Sequence, residues 1–257
     1  MIELILPDAG AAALIGALGV ALFAGLVKGL VGFAMPMIMI SALSSFLPAE
    51  TALAGLILPT LLCNGWQALR QGLAPALESS LRYWRILAAL AAGIVISAPL
   101  VPVMPERLFL ILLGGPILAF TLSQLAGHQL RLRPRHRRRT EIAVGLVGGL
   151  FGGISGVWGP PVIALLIALA AGKREMVRVQ GVVYLAGSLT LVPAHLASGV
   201  LSGATLPFSA ALAVPALAGM ALGLAWQDRI PPGPFRRATL IVLTVAALNL
   251  LRRGLGL

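Results

Sequence analysis

Long apolar stretches follow one another along this 257-residue chain, and short charged or proline-rich connections separate them. Most stretches hold about 20 residues, the length that crosses a hydrocarbon layer roughly 30 Å thick as a helix. Transmembrane β-strands would instead show short segments of alternating polarity. The pattern predicts spanning helices over residues 51–69, 86–103, 108–126, 179–196, 206–226 and 238–251.

Two further stretches, 10–45 and 142–171, are too long for one straight crossing, and glycines interrupt both. In a gapless alignment the interrupted segments match at Gly25/Gly149, Gly29/Gly153, Gly32/Gly156 and Pro36/Pro160. Interrupted segments at corresponding places in two halves of a membrane protein indicate a transport site. We therefore divide the single membrane domain into a first repeat (1–126), a basic loop (127–140) and a second repeat (141–257).

The basic residues favour one path for the interrupted stretches. If each stretch crosses once, arginines fall on both sides of the membrane. If each stretch turns back at its glycines, the basic residues outside the first break lie on one side of the membrane, and only Arg107, Arg252 and Arg253 lie on the other. Cytoplasmic loops carry excess Lys and Arg, so the second path is favoured, with loop 127–140 cytoplasmic and both termini outside.

This path predicts an all-α polytopic membrane protein. Each half contains a glycine-broken helical hairpin plus three transmembrane helices, an odd number, so the halves form two inverted repeats. The broken segments are either re-entrant hairpins or pairs of short spans. Their two glycine-rich turns would approach from opposite faces and meet near the middle of the membrane.

Composition excludes an ordinary soluble protein. The chain is 59% hydrophobic and 11% charged, with a mean hydropathy of +0.99. Its net charge of +11 comes from arginines in short connections, which indicates cytoplasmic loops and not nucleic-acid binding. The single Cys63 excludes an internal disulfide. The N-terminal segment lacks a basic region, so no cleaved signal peptide is expected.

Lys28 is the strongest candidate for chemistry, because it is the only basic residue deep within an apolar stretch. A charge at the centre of a membrane helix costs about 2.5–3.5 kcal/mol even on the mildest scale. We expect Gly29 and Gly32 to leave backbone N–H groups free beside it, which makes an anion site. Alternatively, the stretch forms two full spans and Lys28 lies in a short cytoplasmic turn.

The second break offers amides and one hydroxyl, although each glycine could instead serve close helix packing. Asn64 and Gln67 share one helix face, and Gln180, Tyr184 and Ser188 share another; they could line a path or bond neighbouring helices. The candidate substrate-binding residues are Lys28, Gly29, Gly32, Phe33, Asn64, Gly152, Gly153, Ser155, Gly156, Trp158, Gln180 and Tyr184.

Other polar and aromatic residues have weaker claims. His195 lies near the outer end of its helix, where we expect it to be solvated, although it could carry protons. Trp66, Trp84 and Trp226 lie near span ends and indicate interface anchors. Catalytic and metal-binding motifs such as HExxH, GxSxG, a P-loop or CxxC are missing, so we expect neither an enzyme nor a cofactor or metal.

The motifs GLVKGLVGFAMP (25–36) and GLVGGLFGGISGVWGPP (145–161) resemble the sulfite exporter family TauE/SafE, and the layout is similar across nearly the whole chain. The resemblance implies a permease for small sulfur-containing anions, such as sulfite, sulfoacetate and related organosulfonates, in the bacterial inner membrane. The first motif departs from the family's denser glycine run, since Lys28, Val31, Phe33 and Ala34 stand in some of those places. This departure points to a different anion or a different coupling mode.

We therefore expect a secondary transporter, with export as the direction that the resemblance implies, that works by alternating access on a small sulfur anion. An anion channel and a transporter of another small anion are the alternatives, and a third is a membrane subunit that holds a soluble partner through loop 127–140. The expected partners are the small anion and the lipid bilayer, with no nucleic acid, and a homodimer is compatible with the sequence.

Overall fold

The computed structural model describes residues 10–127, 136–169, 171–227 and 232–256. Within these ranges all regular structure is helical, as expected. The helices are α1 (Ala11–Val31), α2 (Met35–Leu43), α3 (Ala49–Leu69), α4 (Leu73–Arg82), α5 (Trp84–Ser97, continued by a 3-10 helix at Ala98–Val103), α6 (Glu106–Leu125), α7 (Arg137–Ser155), α8 (Gly159–Ala168), α9 (Lys173–Ala197), α10 (Leu206–Trp226) and α11 (Pro232–Leu255).

Six helices of the described part are long and apolar enough to cross a membrane: α1, α3, α5 with its 3-10 continuation, α6, α9 and α10. The multi-pass helical architecture is thereby confirmed, and the predicted span 206–226 coincides with α10. The short helix α4 was not predicted, because its ten residues mix leucines with polar side chains and contain Pro75.

The breaks lie later in the sequence than predicted. α1 continues through Lys28 and Gly29 to Val31, and α7 continues through the second glycine cluster to Ser155. Each helix ends at a glycine in the left-handed region, Gly32 with φ +82° and Gly156 with φ +70°. Prolines in the first turns of α2 and α8 then start the next helix, where a missing N–H costs nothing.

The first interrupted stretch turns back on itself. A Cβ on Gly16, near the start of α1, would lie 3.7 Å from the ring of Phe46, which follows α2. The returning helix has 9 residues and α8 has 10, so both are too short to cross a membrane, whereas α1 has 21. The hairpin therefore combines one full-length helix with one short one.

Contacts fix the relative directions of the long helices. α1, α3 and α10 are parallel, because residue numbers increase in the same direction on both helices of each contacting pair. α1 meets α10 at Gly25 with Ala216 and at Gly29 with Met220, and α3 meets the α10 segment at Leu58 with Ser209 and at Arg70 with Gln227. α5, α7 and α9 also run together, through Ile86 with Gly145, Leu90 with Gly149, Tyr83 with Glu175 and Leu90 with Gly187. α3 and α9 are antiparallel, because Ala68 lies beside Gly181 and Asn64 bonds Ser188.

The described arginines divide between the two ends of the bundle as predicted. Arg107, Arg252 and Arg253 lie at the end where α1 begins. The opposite end carries the arginines of the α3–α4–α5 connection and those at the starts of α7 and α9. Residues 128–135 of the basic loop, and Arg229, lie outside the described residues.

An ionic network joins α5, α7 and α9 at this arginine-rich end. The buried Glu141 carboxylate of α7 pairs with Arg137 at 2.8 Å and with Arg85 of α5 at 3.5 Å. The Tyr83 hydroxyl donates to Glu175 of α9 at 3.2 Å. Burial, and then the neighbouring Glu175 carboxylate, raise the pKa of Tyr83, so the phenol stays a neutral donor.

Two helix pairs, α1 with α10 and α5 with α7, pack with their backbones in contact. A Cβ on Gly25 would overlap the Ala216 carbonyl oxygen, and one on Gly149 would overlap that of Leu90. The partner helices contribute Gly219 and Gly93 in the reciprocal positions. Small residues permit such close approach in membranes, so packing accounts for these glycines.

Gly25→Ala should destabilise the protein, because the added Cβ forces α1 away from α10; overpacking of this kind costs about 1–3 kcal/mol. We expect a lower midpoint of thermal unfolding for the detergent-purified variant. The matched control is Gly19→Ala in the same helix, where no atom lies within 4 Å of an added Cβ. Alanine there should stabilise the helix by up to about 1 kcal/mol. Equal midpoints for the two variants would contradict the packing argument.

Candidate functional site

The two breaks and the facing helices α3 and α9 line one small cavity of about 20 Å³. Its polar lining comes from Lys28, Asn64 and Tyr184, which are all buried. A cavity of this size holds about one water molecule. An oxyanion of four or more heavy atoms is larger than the space that the cavity offers.

Lys28 carries its ammonium group into this cavity from the last turn of α1. The side chain is only 2% exposed, and its Nζ donates to Asn64 Oδ1 at 2.6 Å. The Nζ also lies 5.4 Å from the centroid of the Tyr184 ring, within range of a cation–π contact. Among the described residues no carboxylate forms an ion pair with Lys28. The ammonium therefore has hydrogen-bonding capacity left for an anion.

Asn64 connects Lys28 to the second half of the chain. Its amide nitrogen donates to Ser188 Oγ at 2.7 Å and to the Tyr184 carbonyl at 3.1 Å, while its oxygen accepts from the ammonium. This geometry fixes the amide orientation, since only the oxygen can accept from Lys28. Asn64 thus bonds a neighbouring helix and also orients the lysine.

Tyr184 contributes a second donor to the cavity. Its hydroxyl is buried and has no hydrogen-bond partner in the described structure. It lies beside Gly159, the first residue of α8, where an added Cβ would come within 3.0 Å of the phenol oxygen. An unpaired buried hydroxyl costs about 1–3 kcal/mol. A ligand acceptor in the cavity would remove that penalty.

Polar side chains satisfy backbone carbonyls that the two breaks leave without helical partners. Gln67 Nε2 donates to the Gly32 carbonyl at 3.1 Å. His195 Nε2 lies 2.8 Å from the Gly153 carbonyl oxygen and is fully buried. The expectation of a solvated His195 is therefore wrong, because the broken end of α7 needs a buried donor.

The expected free amides at the glycines are also wrong. The Gly32 N–H donates to the Lys28 carbonyl at 2.7 Å, and the Gly156 N–H donates to Gly152 at 2.6 Å. Gly29 lies inside α1, where its amide belongs to the helix. The amides without helical partners are those that begin α2 and α8, just after each break.

Six of the twelve predicted site residues line the cavity: Lys28, Phe33, Asn64, Gly156, Trp158 and Tyr184. Gly32 and Gln180 lie beside one another at the edge of the first break. The remaining four do not line the cavity. Gly29 packs against α10, Gly153 against α5 and Gly152 against Trp158. The Ser155 hydroxyl donates to the Phe151 carbonyl and accepts from the Val157 amide.

The prediction omitted several lining residues and one hydrogen-bond partner. Ala34, Pro36, Met37, Val157 and Gly159 also line the cavity. Ser188, which bonds Asn64, follows it by 124 residues, the offset that relates Gly32 to Gly156. This shared offset was the signal in the sequence that could have selected Ser188 as a partner of Asn64.

The described residues contain no group of three or more His, Cys, Asp and Glu side chains that could hold a metal ion. Comparison with protein families gives a match to the family described as "Sulfite exporter TauE/SafE" over residues 17–250. The chain belongs to the TauE/SafE family. Its members are membrane transporters, which is consistent with the expectation of a transporter. No curated protein and no solved structure shows significant similarity to the chain.

In this TauE/SafE protein, Asn64→Leu should destabilise the fold much more when Lys28 is present than in the Lys28→Met background. Only with the lysine present does the substitution leave a buried ammonium without its acceptor. A hydrogen bond to a charged group contributes about 1.5–3 kcal/mol, and the coupling energy of the double-mutant cycle should fall in that range. Thermal unfolding of the four purified proteins measures it.

Ser188→Ala serves as the control for this cycle. It removes a hydroxyl bonded to Asn64 but leaves the acceptor of Lys28 in place, so its coupling to Lys28→Met should be weak. Additive effects of Asn64→Leu and Lys28→Met would show that the Lys28–Asn64 hydrogen bond is not important for stability.

Proposed function

We propose that this chain is a secondary transporter that exports small sulfur oxyanions, sulfite or organosulfonates, by alternating access. The observation that carries the proposal is the buried Lys28 ammonium, which has one side-chain acceptor and no carboxylate partner among the described residues. An isolated buried charge is unfavourable, so a bound anion is the partner that the site needs.

The substrate class rests on the family and on the chemistry of the cavity. The family description supports sulfite-like anions. Lys28 and the Tyr184 hydroxyl supply two donors, which suit an oxyanion. Phe33, Val157 and Trp158 complete the lining with apolar surface, which could accept the organic part of a sulfonate.

The burial of the side chains that line the cavity favours a carrier over an anion channel. A channel needs a continuous path, whereas Lys28, Asn64, Trp158 and Tyr184 are all screened from solvent. The halves would alternate access by moving the two break segments apart on one side at a time. The closely packed pairs, α1 with α10 and α5 with α7, are suited to move as units in this cycle.

We also propose that the halves are inverted repeats. The supporting observations are the opposite directions of α1 and α7, of α3 and α9, and of α10 and α5, which occupy corresponding places in the two halves. Half-helices that meet near the bilayer midplane are the arrangement of many secondary transporters.

The arginine-rich end would face the cytoplasm of a bacterial inner membrane, following the excess of basic residues in cytoplasmic loops. Export of an anion from a negative interior is then favourable by about 2.3 kcal/mol per charge at about 100 mV. The membrane potential could therefore drive transport without a coupled ion.

A substitution at Lys28 tests the site. Sulfite or sulfoacetate should raise the unfolding temperature of the purified protein, because a ligand at about 100 times its Kd stabilises the folded state by about 2.7 kcal/mol. Lys28→Met should weaken the apparent affinity by about 10- to 100-fold, through loss of a charged hydrogen bond. Lys28→Arg should retain part of it, since the charge persists while its geometry changes.

Lys173→Met is the matched control, since Lys173 is the other lysine of the chain and begins α9 about three helical turns before Tyr184. It should leave the ligand-induced shift unchanged. Sulfate, chloride and thiosulfate complete the screen of anions. Equal affinities of the native protein and Lys28→Met for every stabilising anion would remove Lys28 from the site. Counterflow in proteoliposomes would then support a carrier, whereas conductance far above carrier turnover would support a channel.

Labelling tests the proposed orientation. Gln71→Cys and Arg138→Cys should react with a membrane-impermeant maleimide from the cytoplasmic side only, and Arg252→Cys from the outside only. All three positions are exposed, whereas the native Cys63 is fully buried. Labelling of positions 71 and 252 from the same side would contradict the arrangement.

A further inference from the structure

Helix α4 presents a row of exposed leucines that no described part of the chain covers. Leu73, Leu77 and Leu81 are 64%, 54% and 77% exposed. Their spacing of four residues places them along one side of the helix. Exposed leucines are ordinary singly, but a continuous row along one helix indicates a surface that contacts something apolar.

Of the two other faces of α4, one is buried against the bundle and one is exposed and charged. Ala76 and Ser79 face the protein and are buried; Ala76 belongs to a small cluster with Ala68 of α3 and Val182 of α9, and the Ser79 hydroxyl accepts from Arg178 Nε at 2.8 Å. Glu78 and Arg82 are exposed on the side away from the leucines. The helix therefore has one face toward the bundle, one apolar face and one charged face.

The position of α4 in the chain indicates that the exposed leucines lie at the boundary between membrane and water. It has 10 residues, too few to cross a membrane, and it connects the spanning helices α3 and α5 at one end of the bundle. Gly72, with φ +100°, makes the turn that leads from α3 into α4. The exposed Trp66 and Trp84 flank it, and tryptophan is enriched where membrane meets water.

We propose that α4 lies flat in the bilayer interface, with Leu73, Leu77 and Leu81 inserted among the lipid acyl chains. Amphipathic helices that lie in the membrane plane combine a leucine-rich face with a charged face that remains in water, as α4 does. Arg70 and Arg82 beside it are exposed at the same end of the bundle. Arg82 pairs with Glu175 at 2.9 Å and Arg70 donates to Gln227 at 3.3 Å, and the exposed parts of both side chains face the surface where phospholipid headgroups would lie. This proposal is independent of the transported anion.

The inserted helix would anchor the site to the membrane. Its inner face contacts α9 through Val182 and Arg178, and α9 carries Gln180 and Tyr184. The bilayer surface thereby holds α9 at a fixed depth, against which the break segments could move.

Spin labels at two neighbouring positions test the proposal. Leu77→Cys and Glu78→Cys are each labelled in the full-length protein and reconstituted in phosphatidylcholine vesicles with some phosphatidylglycerol. The buried Cys63 should not react. The ratio of collisions with oxygen to collisions with a water-soluble nickel chelate should be several-fold higher at position 77 than at position 78, because oxygen concentrates in the acyl region.

The other outcomes overturn the proposal. Equal and high access of the nickel chelate at both positions would mean that α4 lies in water. Exclusion of both reagents from position 77, with free access at position 78, would mean that protein covers the leucines, as in contact with a second copy of this chain. Correct folding of each variant is checked by its gel-filtration profile and by its midpoint of thermal unfolding, neither of which depends on the identity of the transported anion.

Discussion

Two broken helices end inside the bundle, and their backbone polar groups must find partners there, because a hydrocarbon environment offers none. This constraint explains the placement of three polar side chains near the breaks. Gln67 reaches the Gly32 carbonyl, His195 reaches that of Gly153, and the Ser155 hydroxyl accepts from the Val157 amide. The breaks are thus stabilised by helices α3 and α9 as well as by their own turns.

The two breaks have the same backbone arrangement, a helix that ends at a left-handed glycine, but they carry different side chains, and this difference sets which charged and apolar groups line the cavity. Lys28 and Ala34 in the first half correspond to Gly152 and Trp158 in the second. The indole of Trp158 lies over Gly152 and fills the space that a side chain there would need. Only the first half therefore brings a charge into the cavity, and the second half supplies an apolar wall opposite it.

Asn64 both joins two helices of the bundle and contacts the lysine of the candidate site. It joins α3 to α9 through Ser188 and the Tyr184 carbonyl, and it accepts the hydrogen bond of the Lys28 ammonium. The buried lysine is held by a neutral amide, and none of the ion pairs among the described residues includes it. Under the proposed function, a carboxylate in the place of Asn64 would compete with the substrate anion for the lysine.

The sequence by itself determined the helical, multi-pass architecture, the approximate bounds of five of the six predicted spans, the presence of two glycine breaks and the burial of Lys28 within the bundle. These follow from local features: hydrophobic length, residues that end helices, and the cost of an intramembrane charge. The division of arginines between the two ends also followed from the sequence, because it depends only on the order of spans. The tertiary structure decided which side chains converge. Gly29 and Gly153 face neighbouring helices, His195 is buried, and Asn64 accepts a hydrogen bond from Lys28. The rotation of each helix and the register between the two halves decide these contacts. Both are set by packing between distant segments, which no local sequence pattern encodes.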